Sequence, residues 1–236
     1  RDWVIISRME EPFVPKLDFA RLYRRFDAPI ADLDCGQMCA PHNPSGKPFC
    51  CDICYAVPAA YRPEWTYLRA NTDLWKEWQG DECPGEPFDP AEVWAETPEH
   101  MQLLACKGPA HCQRDFRSVS CRQFPFFPYI TADSRFLGLV YEWAFEEVCW
   151  VISHLETVTQ RYRSEFVRFY DEVLAQWPED FECYADHAEE MREEFAARKQ
   201  RIPLLHRNGG FYLISPGSER LERVAPERFK RFGPYR

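Results

Sequence analysis

The chain has 236 residues, 45% hydrophobic and 16% aromatic, with 11 cysteines and 20 prolines: enough apolar side chain to close a core unaided and too many aromatics for a disordered chain. The net charge is −9, and residues 1–152 carry 15 Lys and Arg against 23 Asp and Glu, while residues 153–236 carry 14 against 15. That acidic first half speaks against a duplex nucleic-acid surface, and no apolar run approaches the roughly 18 residues of a membrane helix. Arg1–Ile6 is too short, and too soon followed by charge, for a secretory signal. The reading is a soluble protein of a reducing, cytoplasmic compartment, binding neither nucleic acid nor membrane.

Residues 1–34 read as an arm followed by one helix. Asp18 can cap it, Phe19, Leu22, Tyr23 and Phe26 give its apolar face, and Pro29 ends it. Residues 35–125 are loop-rich. One helix is expected from Pro63, carrying Trp65, Leu68, Trp75 and Trp78 with a break near Asn71, and a short one from Thr97 to Leu104. Residues 126–152 are aromatic and β-prone, with Phe136–Tyr141 as a strand. Leu155, Val158, Tyr162, Phe166, Phe169, Tyr170, Val173, Leu174 and Trp177 step by threes and fours along an amphipathic helix. Phe181, Tyr184, Ala188, Met191 and Phe195 mark a second, antiparallel to it beyond Pro178. Arg207-Asn208-Gly209-Gly210 then joins two apolar runs as a hairpin. The fold class expected is α+β: a loop-rich cysteine-cluster domain over residues 1–152, and a mainly helical annex with a small β-hairpin over 153–236.

Ten of the cysteines lie at or before Cys149. Such a density of soft thiols at short spacings suits zinc, copper(I) or iron–sulfur clusters rather than magnesium or calcium, because short loops cost little entropy to close. An odd total argues against a full disulfide framework. The candidate metal ligands are Cys35, Cys39, Cys50, Cys51, Cys106, Cys112, Cys121 and Cys149. The vicinal pair Cys50-Cys51, on extended backbone, would point its thiols opposite ways, toward two sites or two sides of one polymetallic cluster. The Arg122 that follows Cys121 would lower its pKa and offset thiolate charge, and Phe124, Phe126 and Phe127 would shield the site.

The order of these cysteines, with the run Cys121-Arg122-Gln123-Phe124-Pro125, resembles the YkgJ-like cysteine-cluster family, a zinc- or iron-chelating domain related to the cluster region of flagellin lysine N-methylases. The resemblance covers roughly residues 33–152. This chain has a longer gap between Cys39 and Cys50, and Arg117-Ser118 where the family has Arg-Pro. The resemblance implies metal or iron–sulfur binding.

Other features carry a bland reading beside the sharp one. Cys54 and Cys83 stand as substitute ligands or loop thiols. Cys183 and His187 share the i, i+4 spacing of a helical metal pair, but an exposed thiol and a solvated histidine are the expectation. His42 and His111 are loop histidines between cysteines. Trp75, Trp78, Trp94, Trp143 and Trp150 are read as core rather than cleft, and Glu189, Glu190, Glu193 and Glu194 as a solvated helix face. No nucleotide-cradling glycine motif is present. Three functions remain open: a metal-cluster protein with an iron–sulfur cofactor of the 4Fe-4S type, zinc being the alternative; a zinc-held module that docks a protein partner; and a cluster-containing protein-modifying enzyme such as an N-methylase using S-adenosylmethionine.

Overall fold

A computed structural model describes residues 17–83 and 89–236; the expected arm over residues 1–16 lies outside them. Eight α-helices and eight strands are formed by the described residues. Their order is α1 (Phe19–Arg25), α2 (Cys35–Cys39), β1 (Ala59–Tyr61), α3 (Arg62–Asn71), β2 (Trp75–Glu77), α4 (Pro90–Glu96), β3 (Met101–Cys106), α5 (Val119–Gln123), β4 (Phe126–Ile130), β5 (Phe136–Tyr141), α6 (Trp150–Ser153), α7 (Gln160–Gln176), α8 (Pro178–Ala197), β6 (Ile202–His206), β7 (Phe211–Ile214) and β8 (Leu221–Arg223). Helix and strand are mixed throughout, so the class is α+β.

Local chemistry explains the helices that were expected. The Asp18 carboxylate accepts the Arg21 N–H at 3.0 Å and caps α1, and Phe19, Leu22, Tyr23 and Phe26 are all buried. Thr159 caps α7 through the Tyr162 N–H, and Pro178 occupies the first turn of α8, where its missing N–H costs nothing. The Tyr170 and Tyr184 hydroxyls meet at 2.9 Å and tie α7 to α8. Phe26 packs on Tyr162, Phe166 and Phe169 with ring centroids 5.3–5.9 Å apart, fastening α1 to α7.

Two expectations in the loop-rich stretch are corrected. The helix from Pro63 ends at Asn71, and Trp75 lies in strand β2 rather than on that helix. The run Thr97–Leu104 is not helical: the helix lies earlier, as α4, and Met101–Cys106 forms β3. β3 is central in a three-stranded antiparallel sheet of order β1-β3-β2, with Leu103, Leu104 and Ala105 buried. A short apolar run covered on both faces has no period that separates strand from helix.

The second sheet has the order β4-β5-β6-β7-β8 and is antiparallel throughout. β6 and β7 pair across Arg207–Gly210 with Leu205 opposite Phe211. They also pair onto β5, with Gly138 opposite His206 and Leu139 opposite Leu205, so this sheet runs across the boundary expected at residue 152. Gly138 permits the approach: at φ +146°, a Cβ there would meet the Leu205 carbonyl at 2.3 Å. One buried apolar cluster extends from Phe19 to Phe232 and places α7 and α8 behind the sheet.

Candidate metal centre

The thiols come from six separate segments, each held by its own local device. α2 opens on Asp34, whose carboxylate accepts the Gly36 N–H at 3.0 Å. Cys35 and Cys39 are therefore a helical i, i+4 pair on one face. Cys50 and Cys51 end a 3-10 turn at Phe49–Cys51. The loop around them is knotted by buried Asp52, which accepts from Asn43 Nδ2 (3.0 Å), Ser45 Oγ (2.6 Å) and the Cys54 N–H (3.2 Å). Cys106 ends β3, and the chain turns at Gly108 (φ +92°), whose N–H donates to Cys106 Sγ at 3.3 Å. Cys121 lies in α5, capped by Ser118. Cys149 stands at the N-cap of α6, beside the Val151 and Ile152 N–H groups, which lower its pKa without closing a cap hydrogen bond.

Cavity lining and mutual charge effects put the eight thiols in one neighbourhood with two lobes. Cys35, Cys39, Cys50 and Cys149 line one small cavity, closed by Phe49, Phe124, Pro125 and Trp150. Cys51 is near enough for its charge to raise Cys106 and Cys121, and Cys112 near enough to raise Cys106, which groups these four as the second lobe. The lobes touch at Cys50 and Cys51, whose sulfurs are 4.0 Å apart. Cys39 also feels Cys51, so the two lobes share a wall. The vicinal thiols sit on a 3-10 turn, not on extended backbone, and so do not point opposite ways.

Burial governs the electrostatics. It pushes Cys35 up to about 11, with Cys39 and Asp34 adding to the effect. It pushes Cys149 up to about 12 against the Val151 and Ile152 N–H groups, and Cys121 to about 12 against the Ser118 hydroxyl and Arg117. Cys39 and Cys106 rise for the same reason. Within the vicinal pair, hydrogen bonding from Cys50 holds Cys51 down, assisted by Arg117, and Cys50 correspondingly rises. Thiols raised by desolvation are poor free nucleophiles. A bound cation reverses that balance and strips their protons.

Arg122 does not perform the role expected of it. Its guanidinium is buried over the Tyr23 ring, 4.2 Å from the centroid. It donates to the carbonyls of Phe26 (2.5 Å), Asp115 (2.9 Å) and Arg117 (2.9 Å), with longer bonds to those of Tyr23 and Arg114. It clamps backbone instead of facing sulfur. The guanidinium among the thiols is that of Arg117, whose Nε donates to Cys112 Sγ at 3.1 Å and whose charge reaches Cys121 and Cys51. The signal in the sequence was Arg117-Ser118 preceding the cysteine run. Of the three expected shielding rings only Phe124 lines the cavity; Phe126 packs on Tyr162 and Phe127 on His187.

The remaining candidates divide. Cys54 and Cys83 form a disulfide with Cα atoms 5.2 Å apart, so neither is a free substitute ligand. His42 packs edge-on to Tyr235, and His111 is exposed. Cys183 is exposed. His187 is not simply solvated: it stacks on Trp143 and lies 3.0 Å from Glu142 Oε2 and 3.2 Å from Glu190 Oε2. Trp75, Trp78 and Trp150 are buried, Trp143 is half-buried, and Trp94 is exposed against Trp78. Among the described residues no three or more His, Cys, Asp and Glu side chains form a group that could hold a metal ion, and no helix is long and apolar enough to cross a membrane.

No protein-family model, no curated protein and no solved structure matches the chain.

Proposed function

We propose that the chain is a metal-cluster-binding protein whose eight thiols ligate iron–sulfur clusters of the 4Fe-4S type. The observation that carries the reading is the gathering of Cys35, Cys39, Cys50 and Cys149 in one lobe and of Cys51, Cys106, Cys112 and Cys121 in an adjoining one. A single zinc with bonds of about 2.3 Å needs its sulfurs within about 4 Å of one another. Cys50 and Cys51 meet that spacing, but no third donor completes a group with them among the described residues. We put iron ahead of zinc because eight thiols in two adjoining groups of four match the ligand demand of two four-thiolate clusters.

The donor set supports this choice in a second way. Thiolate ligands are soft and anionic, and hydrogen bonds to their sulfurs tune a cluster. Cys106 receives the Gly108 N–H, and Cys112 receives Arg117. When bound, a cluster supplies reversible one-electron chemistry. The chain's own contribution is to orient the thiols, screen their charge with Arg117 and exclude water with Phe124 and Trp150. The free thiols support a reducing, cytoplasmic setting for this reading; the Cys54–Cys83 bridge argues the other way.

The test is purification without oxygen, with iron, zinc and acid-labile sulfide measured against protein. The expected result is a brown protein with broad visible absorption and comparable iron and sulfide. A colourless protein carrying stoichiometric zinc would overturn the reading.

A further inference from the structure

Beside the thiols an open groove of about 410 Å³ runs between the Phe26–Cys35 segment and the stretch holding Arg114, Arg117 and Cys121. That volume matches a small organic ligand, whose sites occupy about 300–1,000 Å³. Several charges on its walls are already engaged. Asp34 caps α2, Asp27 pairs with Arg122 at 3.3 Å, and Arg122 itself is consumed by backbone carbonyls. Three remain. Arg117 uses Nε on Cys112, and its two terminal nitrogens have no hydrogen-bond partner among the described residues. Arg114 makes only a 3.4 Å contact to the Asp27 carbonyl. Asp32 has no hydrogen bond or ion pair among the described residues.

Two guanidinium groups, one of them already bonded to Cys112 through Nε, thus line the groove with one unpaired carboxylate. The Arg114–Phe116 stretch is a 3-10 turn, closed by the Arg117 N–H on the Arg114 carbonyl at 3.2 Å. Arg114 opens this turn and Arg117 caps it, and both side chains line the groove. Planar forks so placed recognise carboxylate or phosphate oxygens. The Ala28–Leu33 lining is largely apolar, and Cys35 of one thiol lobe and Cys121 of the other also line the groove.

We infer that this groove is a binding site for a small organic oxyanion, its carboxylate or phosphate on Arg114 and Arg117 and its apolar body against Ile30 and Leu33. The ligand lies against both thiol lobes. The inference stands on the groove and its arginines, independently of which metal the thiols hold.

The experiment is calorimetric titration of the full chain, purified without oxygen, with phenyl phosphate, benzoate and inorganic phosphate. One site per chain is expected for at least one aromatic probe, and the tighter of the two identifies the head group. Inorganic phosphate should bind more weakly than phenyl phosphate; equal affinity would overturn the apolar wall. Arg117→Gln should weaken binding by about tenfold or more, as loss of a charged hydrogen-bond donor does. Leu33→Trp, which fills the groove from its apolar lining, should do the same, while the remote Arg220→Gln should not. Absence of binding by either aromatic probe, or wild-type affinity in both groove variants, would overturn the site. Metal content measured on the same samples separates the two proposals: binding without metal sinks the cluster reading alone, and metal without binding sinks the groove alone.

Discussion

Arg122 shows how a single side chain can be assigned the wrong neighbour by sequence proximity. It follows Cys121 directly, yet α5 turns it away from the sulfur and into the carbonyls of residues 23, 26, 114, 115 and 117. Replacing it with methionine keeps the bulk but strands those acceptors and Asp27. The expected cost is about 3 kcal/mol or more, on the scale of an unpartnered buried charge or hydrogen-bonding group. Urea unfolding checks this; a loss below about 1 kcal/mol would show that the clamp is dispensable. Cys121→Ser tests the adjacent residue on another axis: metal content should fall, and unchanged content would show that Cys121 is not a ligand.

At the scale of elements, each thiol lobe belongs to different secondary structure. α2 supplies Cys35 and Cys39, and the α6 cap supplies Cys149; β3 supplies Cys106, and α5 supplies Cys121. Two centres therefore predict that Cys35→Ser and Cys106→Ser each remove about half of the iron, and that the double variant removes nearly all of it. Complete loss in either single variant would indicate one shared centre. His187 on α8 makes a different link, reaching Glu142 beyond β5. Burial works to lower its pKa, but Glu142 and Glu190 outweigh it and raise the histidine above its ordinary value. A raised folded pKa stabilises fully below the unfolded value of about 6.5 and ceases to do so as pH rises through the folded one. The Tm gap between the wild type and Glu142→Gln should thus be widest near pH 5.5 and shrink toward pH 8. A gap independent of pH would show that the pair is not ionic.

Over the whole molecule, the Cys54–Cys83 bridge is separate from the thiol constellation although Cys54 lies three residues from Cys51. It closes a span of 29 residues that includes α3 and β2. Replacing both cysteines with alanine should cost about 2–4 kcal/mol in urea unfolding while leaving metal content intact; loss of metal would place one of them among the ligands. Much of the rest was legible in the chain. Asp18 with its apolar stripe, the strides of residues 160–176 and 178–197, and Phe136–Tyr141 specify their own elements through capping and periodicity, which act over a few residues. The strand at Met101–Cys106 was not legible, because a run buried on both faces has no polar side to betray its period. The number and kind of candidate donors, eight free soft thiols besides a bridged pair and an outlying Cys183, were legible in the sequence. Their division was not. Cys35 lines a cavity with Cys149, and Cys106 lies within reach of the Cys51 charge, across separations that no local spacing constrains. Only the packing of α2 against α6, and of the Phe49–Cys51 turn beside the end of β3, decided which thiols share a lobe, which arginine faces them and where the groove opens.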